Sequence, residues 1–262
     1  MKYLIAACLL GISAPGFATD QPGTKMPASR LGQGYLKNAA PPESIVLSPA
    51  PPVAGSVAQA RDDEASRAGL ALKDGPRWAL ATQDADLFGP RATATMSCAL
   101  GTDIGPHTTP RLDRLLHKVM ADFGMSTSVI KRAYNRPRPF MVNGRPTCTP
   151  DWEPMLRKDG SYPSGHSAIG YGWGLVLAEL RPEYASQIVA RGRAFGDSRR
   201  VCNVHWLSDV EEGRIAATMI FARLNAEPAF QKDMKAARAE LKRAKAAPQN
   251  CESEAAALRL AS

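Results

Sequence analysis

The chain has 262 residues, 44% of them apolar, and a formal net charge of +8. This length and composition exclude a chain too small to bury a core of its own, and they make one domain the default expectation. The modest positive charge suits anionic substrates, although solvated surface lysines would produce the same charge.

The N-terminal segment 1–18 has the three regions of a secretory signal peptide. Lys2 supplies the positive region, Tyr3 to Ile12 form the apolar region, and Gly16-Phe17-Ala18 have the pattern of a cleavage site. The alternative is a membrane anchor, but this apolar region is too short to span a bilayer, and no later stretch is long enough either. We therefore expect cleavage near Ala18 and a soluble mature protein, periplasmic or secreted.

Residues 19–55 are rich in proline, glycine, serine and alanine, which predicts an extended N-terminal arm. A helical domain is predicted over residues 56–247, followed by a C-terminal tail over residues 248–262. No internal repeat and no convincing alternating strand is found, so the prediction is a helical bundle.

The predicted helices begin at capping residues or prolines. One amphipathic helix is clear, because its apolar residues from Leu112 to Phe123 follow the helical period. The proline-containing segment from Asn135 to Pro163 is predicted as a long loop. The remaining predicted helices are Ser56 to about Leu72, Pro76 to about Leu87, Ser126 to Tyr134, His166 to Leu180, Pro182 to Ala194, His205 to Leu224, and Pro228 to Ala246.

Three motifs along this pattern carry side chains suited to phosphate chemistry. Lys131 is followed after six residues by Arg138-Pro139, and Pro163-Ser164-Gly165-His166 opens an apolar segment. The third motif is Ser198-Arg199, then His205 after five intervening residues and Asp209 after three more. Its arginine, like the lysine and arginine of the first motif, supplies a cation suited to phosphate oxygens.

Two of these motifs also predict local geometry. Ser164 caps a helix whose first backbone N–H groups favour an anion, and Gly165 allows close approach. If the stretch from about Val204 is helical, His205 and Asp209 lie on one face. The carboxylate would then hold one imidazole nitrogen and leave the other free for nucleophilic or base chemistry.

Together the three ordered motifs resemble the signature of the phosphatidic acid phosphatase type 2 superfamily, and every motif position is filled. The neighbouring Gly160-Ser161-Tyr162 and Gly196-Asp197 are similar to class A bacterial non-specific acid phosphatases. The resemblance covers about residues 40 to 245. It implies an all-α, single-domain helical bundle of the phosphatidic acid phosphatase type 2 and vanadium haloperoxidase type. It also implies metal-independent hydrolysis of phosphate monoesters, with no cofactor.

The resemblance implies a role for each motif residue. His205 would be the nucleophile that forms a phosphohistidine, Asp209 would orient it, and His166 would act as general acid and then general base. His107 and His117 are interpreted as structural or exposed residues. The phosphate would be bound by Lys131, Arg138, Ser164, Gly165 and Arg199.

Four cysteines, Cys98, Cys148, Cys202 and Cys251, remain once the signal peptide is removed. An even number in an exported protein favours two disulfides, with four free thiols as the alternative, and the spacing fits no zinc pattern. If the two motif arginines converge on one phosphate, the neighbouring cysteines of their loops lie close together. We therefore predict a Cys148–Cys202 bond and, by exclusion, a Cys98–Cys251 bond.

Alternative interpretations of single features are weaker. The two motif histidines and Asp209 could bind a metal, but three nearby cations would repel a divalent ion. Asp84, Asp86 and Asp62-Asp63-Glu64 lack a motif partner and are interpreted as capping or solvated residues. The basic residues from Lys232 to Lys245 are interpreted as the solvated face of a helix.

Three other functions compete with a soluble phosphatase. A vanadium haloperoxidase would use the same pocket but usually has a longer chain. A membrane lipid phosphatase normally has several spanning helices, and a non-catalytic anion-binding protein would not need His166, His205 and Asp209 intact. The expected partners are small phosphate monoesters, with no nucleic acid and no stable membrane insertion, and the sequence leaves a homo-oligomer open.

Overall fold

The computed structural model describes residues 31–36 and 48–259. Within these ranges every long regular element is a helix, which confirms the predicted all-α fold. Three 3₁₀ turns, Thr93–Met96, Pro150–Trp152 and Pro182–Tyr184, connect some of the helices. The α-helices are α1 Val57–Leu70, α2 Pro76–Ala85, α3 Ser97–Leu100, α4 Pro110–Met125, α5 Ser128–Tyr134, α6 Pro139–Asn143, α7 Glu153–Leu156, α8 Gly165–Leu180, α9 Ala185–Val201, α10 Leu207–Leu224, α11 Pro228–Leu241 and α12 Cys251–Arg259.

Helix α8 lies at the centre of the bundle and packs against α4, α9 and α10. Its largely apolar sequence suits this position, because most of its length is enclosed by other helices. Trp173 of α8 is fully buried, and its indole N–H donates to the carbonyl of Leu116 in α4 at 2.9 Å. In the described part of the chain, none of the helices combines the length and the apolar character needed to cross a membrane.

A close approach between α8 and α10 sets the position of the motif residues. A Cβ added at Gly213 of α10 would lie 2.5 Å from the carbonyl oxygen of Ser164, so only glycine permits this spacing. The backbone N–H of Ser164 donates to the carbonyl of Asp209 at 2.9 Å. The beginnings of α8 and α10 therefore lie side by side, although they are far apart in sequence.

The structure differs from the predicted helices at two places near the motifs. Helix α9 extends to Val201, which places Arg199 on a helix, and α10 begins at Leu207 and not at His205. Asn203 lies in the left-handed region with a φ of 60°, a conformation that ends a helix and that asparagine tolerates. His205 therefore lies in the connection between two helices.

The segment 135–163, predicted as a long loop, contains two short helices. Pro139 begins α6 at a position where its missing N–H costs nothing, and Gly144 ends it with a φ of 64°. Helix α7 follows after a 3₁₀ turn. The prolines therefore mark the starts of short helices in this segment.

Two disulfides connect the chain with the predicted pairing. The Cα atoms are 5.4 Å apart in Cys98–Cys251 and 4.8 Å apart in Cys148–Cys202. The first bond fixes α12, which occupies much of the segment predicted as a C-terminal tail, against α3. The second connects the segment after α6 to the residue that follows α9, and the motif arginines Arg138 and Arg199 lie just before α6 and near the end of α9. The predicted signal peptide, 1–18, lies outside the described residues.

Candidate active site

The phosphate-type motif Ser164-Gly165-His166 lies at the beginning of α8, as predicted. The Ser164 hydroxyl accepts a hydrogen bond from the backbone N–H of Ser167 at 3.2 Å and so caps the helix. A Cβ added at Gly165 would make an ordinary contact with Thr127 Oγ1 at 3.4 Å, so packing does not require glycine there. The first-turn N–H groups of this long helix favour an anion.

His205 and Asp209 are brought together, although not on one helical face as expected. His205 Nδ1 lies 3.3 Å from Asp209 Oδ2, and both residues are buried. The same carboxylate oxygen accepts the backbone N–H of Trp206 at 2.8 Å, which closes the first turn of α10. One carboxylate, that of Asp209, therefore both caps the first turn of α10 and orients the histidine.

Arg138 contacts the opposite side of the His205 ring. Its Nη1 lies 3.0 Å from His205 Nε2 and 3.0 Å from the carbonyl oxygen of Val204. Because a guanidinium can only donate, Nε2 accepts this hydrogen bond with its lone pair. The proton of the neutral ring then lies on Nδ1, facing Asp209, so the two neighbours together select one tautomer.

Lys131 and Arg138 are joined by a carboxylate that the sequence did not single out. Oδ2 of Asp159 lies 3.1 Å from Lys131 Nζ and 3.0 Å from Arg138 Nη2. Lys131 also donates to the carbonyl of Gly160. A Cβ at Gly160 would lie 2.8 Å from the Lys131 carbonyl oxygen, so glycine is needed for this loop to pass α5.

Arg199 is a buried cation with few partners. Its residue is 0% exposed, its Nη1 lies 3.8 Å from the sulfur of Cys202, and its Nε has no hydrogen-bond partner within the described residues. No carboxylate lies within ion-pair distance of it in that same part of the chain. Leaving such a group unpaired is costly, so this guanidinium favours an anion placed beside it.

His166 is the second residue of α8 and lies near Arg199. Its Nε2 donates to the carbonyl of Ala85, the last residue of α2, at 3.0 Å. In the neutral ring the other nitrogen, Nδ1, is then unprotonated. Burial, followed by the positive charge of Arg199, holds the pKa of His166 well below its ordinary value.

Burial and like charge dominate the electrostatics of the whole site. Burial, then Arg138 and Lys131, hold the pKa of His205 well below its ordinary value. Burial together with Arg138 lowers the pKa of Lys131 to about 8 and that of Arg199 to about 9. The site thus carries an excess of positive charge that disfavours a proton on either histidine until an anion binds.

Arg136 is a supporting residue that the motifs did not indicate. It is buried, and its Nη1 donates to Asp209 Oδ1 at 2.7 Å while its Nη2 donates to Asp62 Oδ2 at 2.8 Å. Asp62 in turn accepts the backbone N–H and the hydroxyl of Ser208, at 2.8 and 2.6 Å. The sequence interpretation of Asp62 as a solvated residue is wrong, since it is 1% exposed and helps to hold Asp209.

Asp84 also differs from its interpretation as a capping or solvated residue. It is fully buried and accepts from Arg191 Nη2 at 2.6 Å and from the Ser198 hydroxyl at 2.6 Å. The same hydroxyl accepts from Arg77 Nη1 at 2.9 Å. This network attaches α9 to α2 beside Arg199. Asp86, by contrast, accepts the backbone N–H groups of Phe88 and Gly89, as a capping residue does.

The remaining histidines lie away from these contacts. His117 is partly exposed, and its Nδ1 lies 2.9 Å from the carbonyl oxygen of Asp113 in its own helix. His107 is exposed. Over residues 31–36 and 48–259, no three side chains of histidine, cysteine, aspartate or glutamate gather as a metal-binding group.

Comparison with known proteins identifies relatives of this chain. Residues 116–227 match the PAP2 superfamily. The acid phosphatase of Zymomonas mobilis is 42% identical over 205 residues, covering 77% of this chain and 76% of the relative. The non-specific acid phosphatase of Salmonella typhimurium is 42% identical over 76% of this chain and 82% of the relative. That of Providencia stuartii is 37% identical over 94% of this chain and all of the relative, 100%.

The Arg136 network predicts a large effect on stability. Arg136→Met leaves the buried carboxylates of Asp62 and Asp209 without their counter-ion, and we expect the free energy of unfolding to fall by about 3–5 kcal/mol. Arg145→Met removes a guanidinium from an exposed residue of the same segment and should change it by less than about 0.5 kcal/mol. Denaturant unfolding of both variants measures the difference. Equal stabilities would contradict the role assigned to Arg136.

Proposed function

The chain belongs to the class A bacterial non-specific acid phosphatases of the PAP2 superfamily, and we propose that it hydrolyses phosphate monoesters through a phosphohistidine. The observation that carries the proposal is the pairing of two features at one place. A buried guanidinium without a carboxylate, Arg199, lies near a histidine, His205, whose Nε2 lone pair faces the cations. A dianionic phosphoryl group would satisfy the first feature and react with the second.

We propose that phosphate oxygens bind to Arg199, to Lys131 and Arg138, and to the N–H groups at the start of α8. Arg138 Nη1 would then leave His205 Nε2 for a phosphate oxygen, which frees the lone pair of that nitrogen. Nε2 attacks phosphorus opposite the ester oxygen, the N–P bond forms, and the P–O bond to the alcohol breaks. The leaving oxygen takes a proton from His166 and departs as the alcohol.

The second step returns the protein to its starting state. His166, now neutral, accepts a proton from a water molecule, whose oxygen attacks the phosphohistidine. The N–P bond breaks, inorganic phosphate is released, and His205 regains its lone pair. The backbone N–H groups and the three cations bind the phosphoryl oxygens in both steps, where negative charge is spread over them.

The shifted pKa values fit work at acidic pH. Because the pKa of His205 is held well below its ordinary value, its Nε2 stays unprotonated and nucleophilic as the pH falls. Burial and Arg199 lower the pKa of His166, but a bound phosphate dianion would add negative charge beside it and raise that pKa. The substrate itself therefore promotes the protonated form of the acid that the first step needs.

We propose that the protein acts in the periplasm or is secreted, after removal of residues 1–18. The support is the composition of that segment and the two disulfides, which form in oxidising compartments. Mass spectrometry of the chain recovered from the cell envelope and the medium tests this. We expect a mature chain that begins near residue 19, and a chain that retains Lys2 would contradict the proposal.

Turnover should need no metal ion. Three fixed cations converge where a divalent ion would have to sit, so the positive charge needed at the phosphoryl group is already supplied. We expect purified protein to hydrolyse p-nitrophenyl phosphate at nearly the same rate with and without EDTA, and vanadate and phosphate to inhibit. A rate that is lost with EDTA and restored by a divalent ion would overturn the metal-independent mechanism.

The two site histidines should fail differently when each is replaced. His205→Ala removes the nucleophile, so no phosphoenzyme forms and turnover collapses for every ester. His166→Ala removes the proton donor, so alkyl phosphates should lose about 10²–10⁴-fold in rate. A good leaving group such as p-nitrophenolate needs less protonation, and its first step should suffer less. His117→Ala is the matched control, because its ring lies on the surface of α4.

Acid-quench trapping of phosphohistidine with labelled substrate separates the two roles. The His166→Ala protein should still trap label from p-nitrophenyl phosphate, and the His205→Ala protein should trap none. The opposite pattern, label on His205→Ala and none on His166→Ala, would show that the assigned roles are reversed.

A further inference from the structure

We propose that Asp159 is an internal competitor of the substrate, a carboxylate that binds two of the cations to which the phosphate is proposed to bind. The inference rests on the proposed function, because it assigns a role to a residue beside the same phosphate site. Its basis is geometric. One oxygen, Oδ2, accepts from Lys131 Nζ at 3.1 Å and from Arg138 Nη2 at 3.0 Å, two of the three cations that the proposal assigns to phosphate.

The donors of Arg138 show why the carboxylate and a phosphate exclude each other. Nε donates to the backbone carbonyls of Leu156 and Asp159, and Nη1 faces Val204 O and His205 Nε2. The second terminal nitrogen, Nη2, is directed at the Asp159 carboxylate and the Gly160 carbonyl. A guanidinium has five N–H groups, so all of them are engaged. A phosphate can therefore bind Arg138 only by displacing acceptors that are already present. At Nη1 it would displace His205 Nε2, as proposed above, and at Nη2 it would displace the Asp159 carboxylate, whose side chain is 50% exposed.

The Asp159 carboxylate is exposed enough to move away from Lys131 and Arg138. Its side chain is 50% exposed, whereas the side chains of Lys131 and Arg138 are 12% and 2% exposed. It belongs to the loop between α7 and α8, which Arg138 Nε holds through backbone carbonyls and not through the carboxylate. The carboxylate can therefore rotate into solvent while the loop and both cations stay in place.

The contrast with Arg199 shows what the carboxylate does. Arg199 faces no carboxylate within the part of the chain that the structure describes, and it remains a permanent anion site. Lys131 and Arg138 are partly neutralised by the single charge of Asp159, which a stronger anion can replace. A phosphate dianion carries more charge than a carboxylate and reaches all three cations at once, so it displaces Asp159. After the reaction, the carboxylate returns and favours release of inorganic phosphate.

The test is the affinity for inorganic phosphate in Asp159→Asn, which keeps the shape of the side chain and removes its charge. We expect the inhibition constant of phosphate and the KM for p-nitrophenyl phosphate to fall together by about threefold to tenfold, the size expected when two partly exposed ion pairs no longer compete. The value of kcat should stay the same or fall while KM falls, because the reacting groups are untouched and only the release of phosphate becomes slower.

Two further variants serve as controls. Asp159→Glu keeps the charge and should keep phosphate affinity near that of the unchanged protein. Glu211→Gln removes the same charge from a surface carboxylate of α10 that pairs with Arg61, and it should leave the phosphate constant unchanged. Thermal unfolding of each variant reports whether it is folded, and Asp159→Ser replaces Asp159→Asn if that protein is not.

The outcomes distinguish this inference from the proposed function. If the unchanged protein hydrolyses p-nitrophenyl phosphate but Asp159→Asn binds phosphate equally or more weakly, Asp159 positions the cations and the competitor role is wrong. A rise in KM with a fall in kcat would mean the same. If the unchanged protein neither hydrolyses the ester nor binds phosphate, the proposed function itself fails. A lower inhibition constant in both Asp159→Asn and Glu211→Gln would show that the effect comes from the net charge of the protein, and it would overturn the competitor role.

Discussion

The guanidinium of Arg138 connects the parts of the chain from which the site is built. It donates to the loop before α8 through Leu156 and Asp159, and to the connection before α10 through Val204 and His205. Its own position follows from Pro139, which begins α6 and keeps the preceding residue extended. Without Arg138, His205 would lose one of the two neighbours that select its tautomer, and the loop before α8 would lose its hydrogen bonds to the guanidinium.

Burying three cations near one another costs free energy, and other contacts of the fold have to offset that cost. Burial and repulsion by Arg138 lower the pKa of Lys131 and that of Arg199. The Cys148–Cys202 bond and the helix contacts around α8 keep these cations close together despite their mutual repulsion. A phosphate bound among them is therefore stabilised by charges that are already desolvated and oriented, which is the source of electrostatic catalysis in a phosphatase.

The sequence predicted the helical fold and the disulfide pairing, because capping residues, apolar periods and ordered motifs are signals that a sequence carries. It placed His205 inside a helix and Arg199 outside one, and the structure shows the reverse. It missed the groups whose role depends on contacts across the fold. Asp62 reads as one of three consecutive acidic residues, and only the packing of α1 beside α10 buries it against Arg136. Arg136 lies between two motif positions, where its charge could have been a signal. Asp159 is distinguished only by the two cations that it contacts.

The position of His205 before α10, and not within it, affects how the site can be altered. Asp209 holds the histidine and also accepts the Trp206 backbone N–H that closes the first helical turn. A change at Asp209 therefore disturbs the first turn of α10 and the orientation of His205, the proposed nucleophile, at the same time. Asp159 is different, since its backbone holds the loop and its exposed carboxylate alone contacts the cations. The balance between phosphate capture and phosphate release can therefore be varied at this carboxylate without unfolding the site.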